Sequence, residues 1–156
     1  MSQDQELIKK FSDSISNNTM LSNYSWFNLG GPAEYLFRPD NKKKIIEFLK
    51  ENKKNKYKIT ILGAGSNTLI RDKGVKGVVI KLGSDFSKIN LLNKNTIQAG
   101  AGLLDRKISN FAKDNGVGDL EFLSCIPGSI GGSVAMNSGC YGYDISKALV
   151  SINVID

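Results

Sequence analysis

Apolar and polar residues follow several different periods along this chain of 156 residues, and each change of period marks an element. Residues 4 to 13 carry Leu7, Ile8 and Phe11 at helical spacing, which predicts a short amphipathic helix ended by Asn17-Asn18. Leu21 to Phe27 leads into Gly30-Gly31-Pro32, a turn signal, and Ala33 to Arg38 alternates like a strand. Pro39-Asp40 opens a lysine-rich helix that Asp40 or Asn41 can cap, with Ile45, Ile46 and Leu49 as its buried stripe. Lys58 to Leu62 follows as a strand. Strand, helix and strand in that order form a βαβ unit, which implies a small parallel sheet.

After a glycine loop at 63 to 67, the β-branched run from Val75 to Leu82 predicts another strand. Ile89 to Leu92 and Thr96 to Ala99 flank Asn93-Lys94-Asn95 as a hairpin. Leu103 to Asp114 reads as a second amphipathic helix, with Leu104, Ile108, Phe111 and Ala112 on one side and Asn115-Gly116 as its stop. Ala148 to Val154 begins a last strand, and a chain that halts at Asp156 inside this apolar run, with no turn, cap or polar tail, reads as truncated. The expected class is α+β, with a small βαβ lobe followed by an antiparallel-sheet lobe. The expected divisions are a lead-in over 1–20, a first lobe over 21–83 and an incomplete second lobe over 84–156.

Charge changes this picture less than its total suggests. The net charge is +6, yet the stretch from Asn41 to Lys58 accounts for all of it, with eight lysines against Glu47 and Glu51. Elsewhere 13 basic residues face 13 acidic ones. No aromatic ladder interleaves the basic run, so a solvated helix face is expected rather than a nucleic-acid surface. No apolar run approaches the roughly 20 residues a bilayer requires, and Met1 to Glu6 lack the basic and apolar regions of a secretory signal, so a cytoplasmic protein is expected. In that compartment Cys125 and Cys140 are expected as reduced thiols. Histidine is absent, which removes the commonest general base, the Ser-His and Cys-His nucleophiles and the usual zinc site, and no metal is expected. Chemistry then falls to a carboxylate, to a cofactor or to residues outside this chain.

Two segments are candidates for such a cofactor. Gly63-Ala64-Gly65-Ser66-Asn67-Thr68 sits where a strand ends, so glycine flexibility lets successive N–H groups turn inward around an anion, with Ser66 and Asn67 adding side-chain donors. This loop suits a pyrophosphate without any lysine. Thr68 stands where a dinucleotide fingerprint has its third glycine, and no Gly-Lys-Ser/Thr follows. Alone, a G-x-G turn after a strand is more often structural. The second segment runs from Ile126 to Gly142, where Pro127-Gly128 makes a turn, Gly131-Gly132 removes side chains where something must come close, and small residues leave the stretch unable to fill its own volume. A tight glycine corner is the structural alternative. Two such loops with no acid, base or metal cluster between them favour a dinucleotide that brings its own reactivity.

Gly63-Ala64-Gly65-Ser66-Asn67, Leu120-Glu121-Phe122 with Ile126-Pro127-Gly128-Ser129-Ile130-Gly131-Gly132, and Met136-Asn137-Ser138-Gly139-Cys140-Tyr141-Gly142 together resemble the UDP-N-acetylenolpyruvoylglucosamine reductase family. Leu29-Gly30-Gly31-Pro32-Ala33 is similar to that family's opening motif, so the likeness runs from about Leu21 to Asp156. The resemblance implies the two-lobed FAD-binding domain of the vanillyl-alcohol-oxidase type. It implies that Gly63, Gly65, Ser66 and Asn67, with Ala64 and Thr68 in the same loop, hold the FAD pyrophosphate. Ile126, Pro127, Gly128, Ser129, Gly131, Gly132, Asn137 and Gly139 would then line the flavin and ribityl region. Departures from the family's pattern are small for small: Cys125 for Gly, Ser129 for Thr, and Ser133, Ser138 and Cys140 for Ala. The family's arginine, its proton-donating serine and its late glutamate match positions beyond Asp156, so no catalytic residue is carried over and the substrate domain is expected to be missing. The implied partners are FAD, with NADPH and a UDP-sugar enolpyruvate in the full enzyme, which is expected to be a monomer bound to neither nucleic acid nor membrane. The alternatives are another FAD-dependent oxidoreductase of the same fold, or a stand-alone binding module using its lysine-rich face.

Overall fold

The computed structural model describes residues 3–155, which form two compact units, one ending at Asp85 and the other beginning at Phe86. The first unit opens with helix α1 (Gln3–Lys10), followed by strand β1 (Ile15–Met20). Strand β2 (Pro32–Phe37), helix α2 (Lys42–Asn55) and strand β3 (Ile59–Ile61) form the expected βαβ unit, and strand β4 (Val75–Ile80) completes one sheet in the order β1-β2-β4-β3. β4 pairs parallel with both β2 and β3, whereas β1 pairs antiparallel with β2. Residues 17 and 18, expected to break a helix, therefore lie inside an edge strand. The sequence pattern does not reveal β1 because only Ile15 of its six residues is buried, so the backbone ladder to β2 holds it and no apolar alternation marks it.

Adjacent positions of β2 serve opposite faces of this sheet, as the period of two requires. Phe37 packs against Phe11 and Phe48 with ring centroids 5.8 and 4.4 Å away, joining α1 and α2 to the sheet. Leu36 joins Leu21, Leu62, Ile70 and Val79 in a separate cluster. The stripe of α2 is Ile45, Phe48 and Asn52 rather than Ile45, Ile46 and Leu49; Ile46 and Leu49 are only half-buried. Asn41 is the cap, its side chain accepting the Lys44 N–H at 2.9 Å. The lysine face is partly neutralised, since Lys44 pairs with Asp13 and Asp40, and Lys10 of α1 pairs with Glu47 and Glu51.

The second unit holds two separate two-stranded antiparallel ribbons. The first is β5 (Ile89–Asn93) with β6 (Thr96–Ala99), the expected hairpin. Helix α3 (Asp105–Asp114) buries Ile108 and Ala112, but Leu104 precedes the helix and is exposed, contrary to the expected stripe. The glycine-rich segment contains a helix, α4 (Ile130–Met136), which then leads into β7 (Gly139–Cys140), β8 (Tyr143–Asp144) and α5 (Ile145–Ala148). Each glycine in a helix interior costs about 1 kcal/mol relative to alanine, so α4 is held by its surroundings and not by propensity. The expected strand over 148 to 154 is not formed; Val150, Ile152 and Val154 are exposed and 149–155 carry no regular structure. Alternation alone does not make a strand, because the ladder needs a partner. The core here is Leu103, Ile108, Phe122, Leu123 and Ile145. No helix among the described residues is long and apolar enough to cross a membrane.

Candidate functional site

In the first unit the three parallel strands end at one edge of the sheet. Ile61 and Phe37 both lie opposite Ile80, the Leu62 N–H donates to the Ile80 carbonyl at 2.9 Å, and the Lys81 N–H donates to the Phe37 carbonyl at 2.9 Å. This register sets Arg38, the loop after Leu62 and Lys81 side by side at the carboxyl ends of the strands, where ligands of open parallel sheets bind. Among the described residues, no backbone N–H from Gly63 to Thr68 reaches a protein acceptor with good hydrogen-bond geometry. Buried or half-buried amides are rarely left without an acceptor, so a loop offering several in succession suits an anion. Gly65 is buried, Gly63, Ala64 and Ser66 are half-buried, and Asn67 and Thr68 are exposed.

Gly65 has φ +76°, and a Cβ there would stand 2.0 Å from the Tyr24 carbonyl oxygen. The space a side chain would take belongs to the chain's own backbone and not to a ligand, since the Trp26 N–H donates to the Gly65 carbonyl at 3.1 Å. The Tyr24–Trp26 segment thus clamps the loop, and it leaves Trp26 63% exposed. Lys81 closes the other side. Its Nζ donates to the Gly63 carbonyl at 2.6 Å and lies 5.8 Å from the centroid of the Tyr24 ring. Burial, and after it the charge of Arg38, hold the Lys81 pKa below its usual value. The loop itself holds no lysine, but a lysine 18 residues further along the chain donates to its first carbonyl. Its signal in the sequence is a cation directly after the buried run Val78-Val79-Ile80, which can be placed only once that strand is known to neighbour the loop's own strand.

In the second unit, the turn at Pro127-Gly128 lies against the start of α3. Leu104 and Ser129 form a β-bridge, the Asp105 N–H donates to the Gly128 carbonyl at 3.2 Å, and the Ile130 N–H donates to the Leu103 carbonyl at 2.8 Å. Asp105 is fully buried, and its Oδ2 accepts from the Ser133 hydroxyl at 2.6 Å, while its Oδ1 has no hydrogen-bond partner among the described residues. Burial raises its pKa, against which the Ser133 and Gly128 hydrogen bonds pull down. A Cβ at Gly128 would sit 2.3 Å from Asp105 Oδ2, and one at Gly131 would sit 2.9 Å from Ala101 Cβ. What comes close at these two glycines is protein. Gly132 differs: its Cβ would meet nothing nearer than Ser129 Oγ at 3.4 Å.

The remaining candidates of this unit are dispersed. Ile126 packs against the core and Ser129 is buried, whereas Pro127 and Gly139 are exposed. Asn137 takes a left-handed conformation at the end of α4, and its Oδ1 accepts the Ser146 N–H at 3.0 Å, so its side chain helps start α5. Asp105 was not read from the sequence as part of the segment, because a buried helix-start aspartate looks the same as an exposed capping one. Cys125 and Cys140 are free thiols.

Comparison with known proteins identifies the cofactor of this domain. A family model described as FAD binding domain matches residues 33–156. The chain belongs to the FAD binding domain family. FAD is the cofactor of this FAD binding domain, and the α+β class read from the sequence holds for it. Two relatives are named UDP-N-acetylenolpyruvoylglucosamine reductase. The one from Pelagibacter ubique (strain HTCC1062) is 51% identical over 155 residues, covering 97% of this chain and 51% of the relative. The one from Orientia tsutsugamushi (strain Ikeda) is 40% identical over 152 residues, covering 96% and 50%. The crystal structure of UDP-N-acetylenolpyruvylglucosamine reductase from Thermus caldophilus superposes with a TM-score of 0.67 at 31% identity, covering 82% of this chain and 44% of that one. This FAD binding domain spans about half the length of the relatives it matches. Its residues fit the diphosphate of FAD: the unpartnered amides of 63–68 and the Lys81 ammonium are donors and positive charge, and no carboxylate is paired with Lys81 among the described residues.

Proposed function

We propose that this chain is the FAD-binding portion of the NADPH-dependent reductase that converts UDP-N-acetylglucosamine enolpyruvate to UDP-N-acetylmuramate in cytoplasmic peptidoglycan synthesis, and so serves cell-wall growth and division. The observation that carries this reading is 51% identity over 97% of the chain to a reductase of that name, with the row of free amides at the loop where FAD needs its diphosphate held. Bound FAD supplies the hydride chemistry. The chain's own residues bind and orient it. Gly63, Ala64, Gly65, Ser66, Asn67 and Thr68 receive the diphosphate through backbone N–H groups and through the hydroxyl and amide side chains. Ile126, Pro127, Gly128, Ser129, Gly131, Gly132, Asn137 and Gly139 shape the surface against the flavin and ribityl chain, with Gly132 offering room for close approach because a Cβ there would meet nothing nearer than Ser129 Oγ at 3.4 Å.

Asp105 and Ser133 are both buried and engaged with each other, so they serve the fold of the segment and do not act as general acid. These 156 residues alone are therefore expected to hold FAD without reducing the enolpyruvyl substrate. Purification tests both halves of this reading. A yellow protein that releases FAD on denaturation, and that shows no NADPH consumption with the substrate, is the expected result. A colourless protein that stays apo with added FAD would remove the reading, and measurable turnover would show that catalytic groups lie within these residues.

A further inference from the structure

We infer that Lys81 is the charge partner of the FAD diphosphate, a binding residue acting together with the amides of the 63–68 loop; this rests on the FAD reading above. Three observations place it. The Lys81 Nζ donates to the Gly63 carbonyl at 2.6 Å, so the ammonium is fixed at the first residue of the loop. Only one of its three N–H groups is used in this way, and none reaches a carboxylate among the described residues. Its position is also enforced from both sides, by the ladder bond from its own N–H to the Phe37 carbonyl at 2.9 Å and by the Tyr24 ring 5.8 Å from Nζ.

A half-buried cation normally finds a carboxylate, because leaving it unpaired forgoes interaction energy just where solvent screens least. The charge that acts on Lys81 here is that of Arg38, which is also positive and follows the residue that Lys81 pairs with. Two cations and a succession of free amides at one sheet edge make a site of positive potential, and no carboxylate pairs with Lys81 among the described residues. A diphosphate meets that need, and an uncharged ligand does not. The Lys81 to Gly63 bond adds a positioning element, since it ties the first carbonyl of the loop to the residue that follows β4.

Titration of FAD into the apo chain, followed by flavin fluorescence, tests this with Lys81→Gln and Lys81→Arg. Gln retains a donor for the Gly63 carbonyl but removes the charge. The expected result is FAD affinity about tenfold weaker for Lys81→Gln, with a shallower dependence on salt, and recovery to within about threefold by Lys81→Arg. Wild-type affinity in Lys81→Gln would overturn the inference while leaving the FAD reading intact. Equal weakening in both variants with an unchanged salt dependence would make Lys81 a structural pin only. A wild type that binds no FAD removes both readings. A second measurement does not depend on the variants folding: FAD should protect Lys81 of the wild type from amine acylation several-fold by peptide mass spectrometry, leaving Lys42 and Lys43 of α2 unaffected. Equal acylation of Lys81 with and without FAD would also overturn the inference.

Discussion

The two glycine segments look alike in sequence and differ in what their glycines are for. In the loop at 63–68 Gly65 accommodates the Tyr24 carbonyl, and the surrounding amides remain unpartnered among the described residues. In the segment from 126 to 139 the glycines accommodate a buried carboxylate at Gly128 and Ala101 at Gly131, and the Gly131 amide is spent on the Ala101 carbonyl at 2.8 Å. The first segment presents donors with a cation bonded to its first carbonyl. The second is a packed turn and helix around a buried carboxyl group, Asp105, that has no cation partner among the described residues. The lesson is that glycine richness marks close approach without saying whether protein or ligand does the approaching.

Substitutions can break or sharpen this contrast, and the largest effect is expected at Gly65. Gly65→Val puts a β-branched side chain at φ +76° and into the Tyr24 carbonyl, so the loop itself should fail, at a cost of about 3 kcal/mol or more. Both thermal stability and flavin content should fall. Loss of flavin with an unchanged melting temperature would restore the simpler view that the side chain merely blocks the ligand. Gly128→Ala should cost about 2 kcal/mol, because its Cβ would stand 2.3 Å from Asp105 Oδ2. Combined with Asp105→Ser the penalty should shrink, and a strictly additive double-mutant cycle measured by urea unfolding would refute the contact.

Gly132→Ala is the sharper member of the set. It should stabilise α4 by up to about 1 kcal/mol while weakening FAD binding, since alanine is the better helix former and its methyl, with Ser129 Oγ at 3.4 Å, would take up space on the proposed flavin surface. If affinity is unchanged, Gly132 is no part of the flavin surface. The pH dependence separates the two regions further. Asp105 has a raised pKa in the folded chain, so its contribution to stability is complete in acid and is lost as pH climbs from about 4 through its folded value. Asp105→Asn should therefore gain stability relative to wild type as pH rises over that range; a flat difference would show that burial does not disfavour the carboxylate. Asp13, Glu47 and Asp144 have lowered values and act in the opposite sense, losing their contribution on acidification. The smallest effect is expected for Lys44→Ala, since its pairs with Asp13 and Asp40 are surface pairs, and the melting temperature should barely move.

The sequence by itself determined the elements whose pattern is set by burial or by turn chemistry. Ile45 in a capped lysine helix, the β-branched run at 75–80, the hairpin around residues 93–95 and the loop after Ile61 were all legible there, because each is specified by neighbours within a few residues. It also held enough ordered motif for the FAD binding domain family to be named. Tertiary structure alone decided the rest. It made a strand of 15–20 by giving it a ladder, made a helix of 130–136 in spite of two glycines, and left 149–155 without regular structure for want of a partner strand. It also brought Lys81 to Gly63 across 18 residues and Ser133 to Asp105 across 28. Such pairs depend on which strand lies beside which and on which helix covers a turn. Those are properties of long-range packing, and no local period in the chain encodes them.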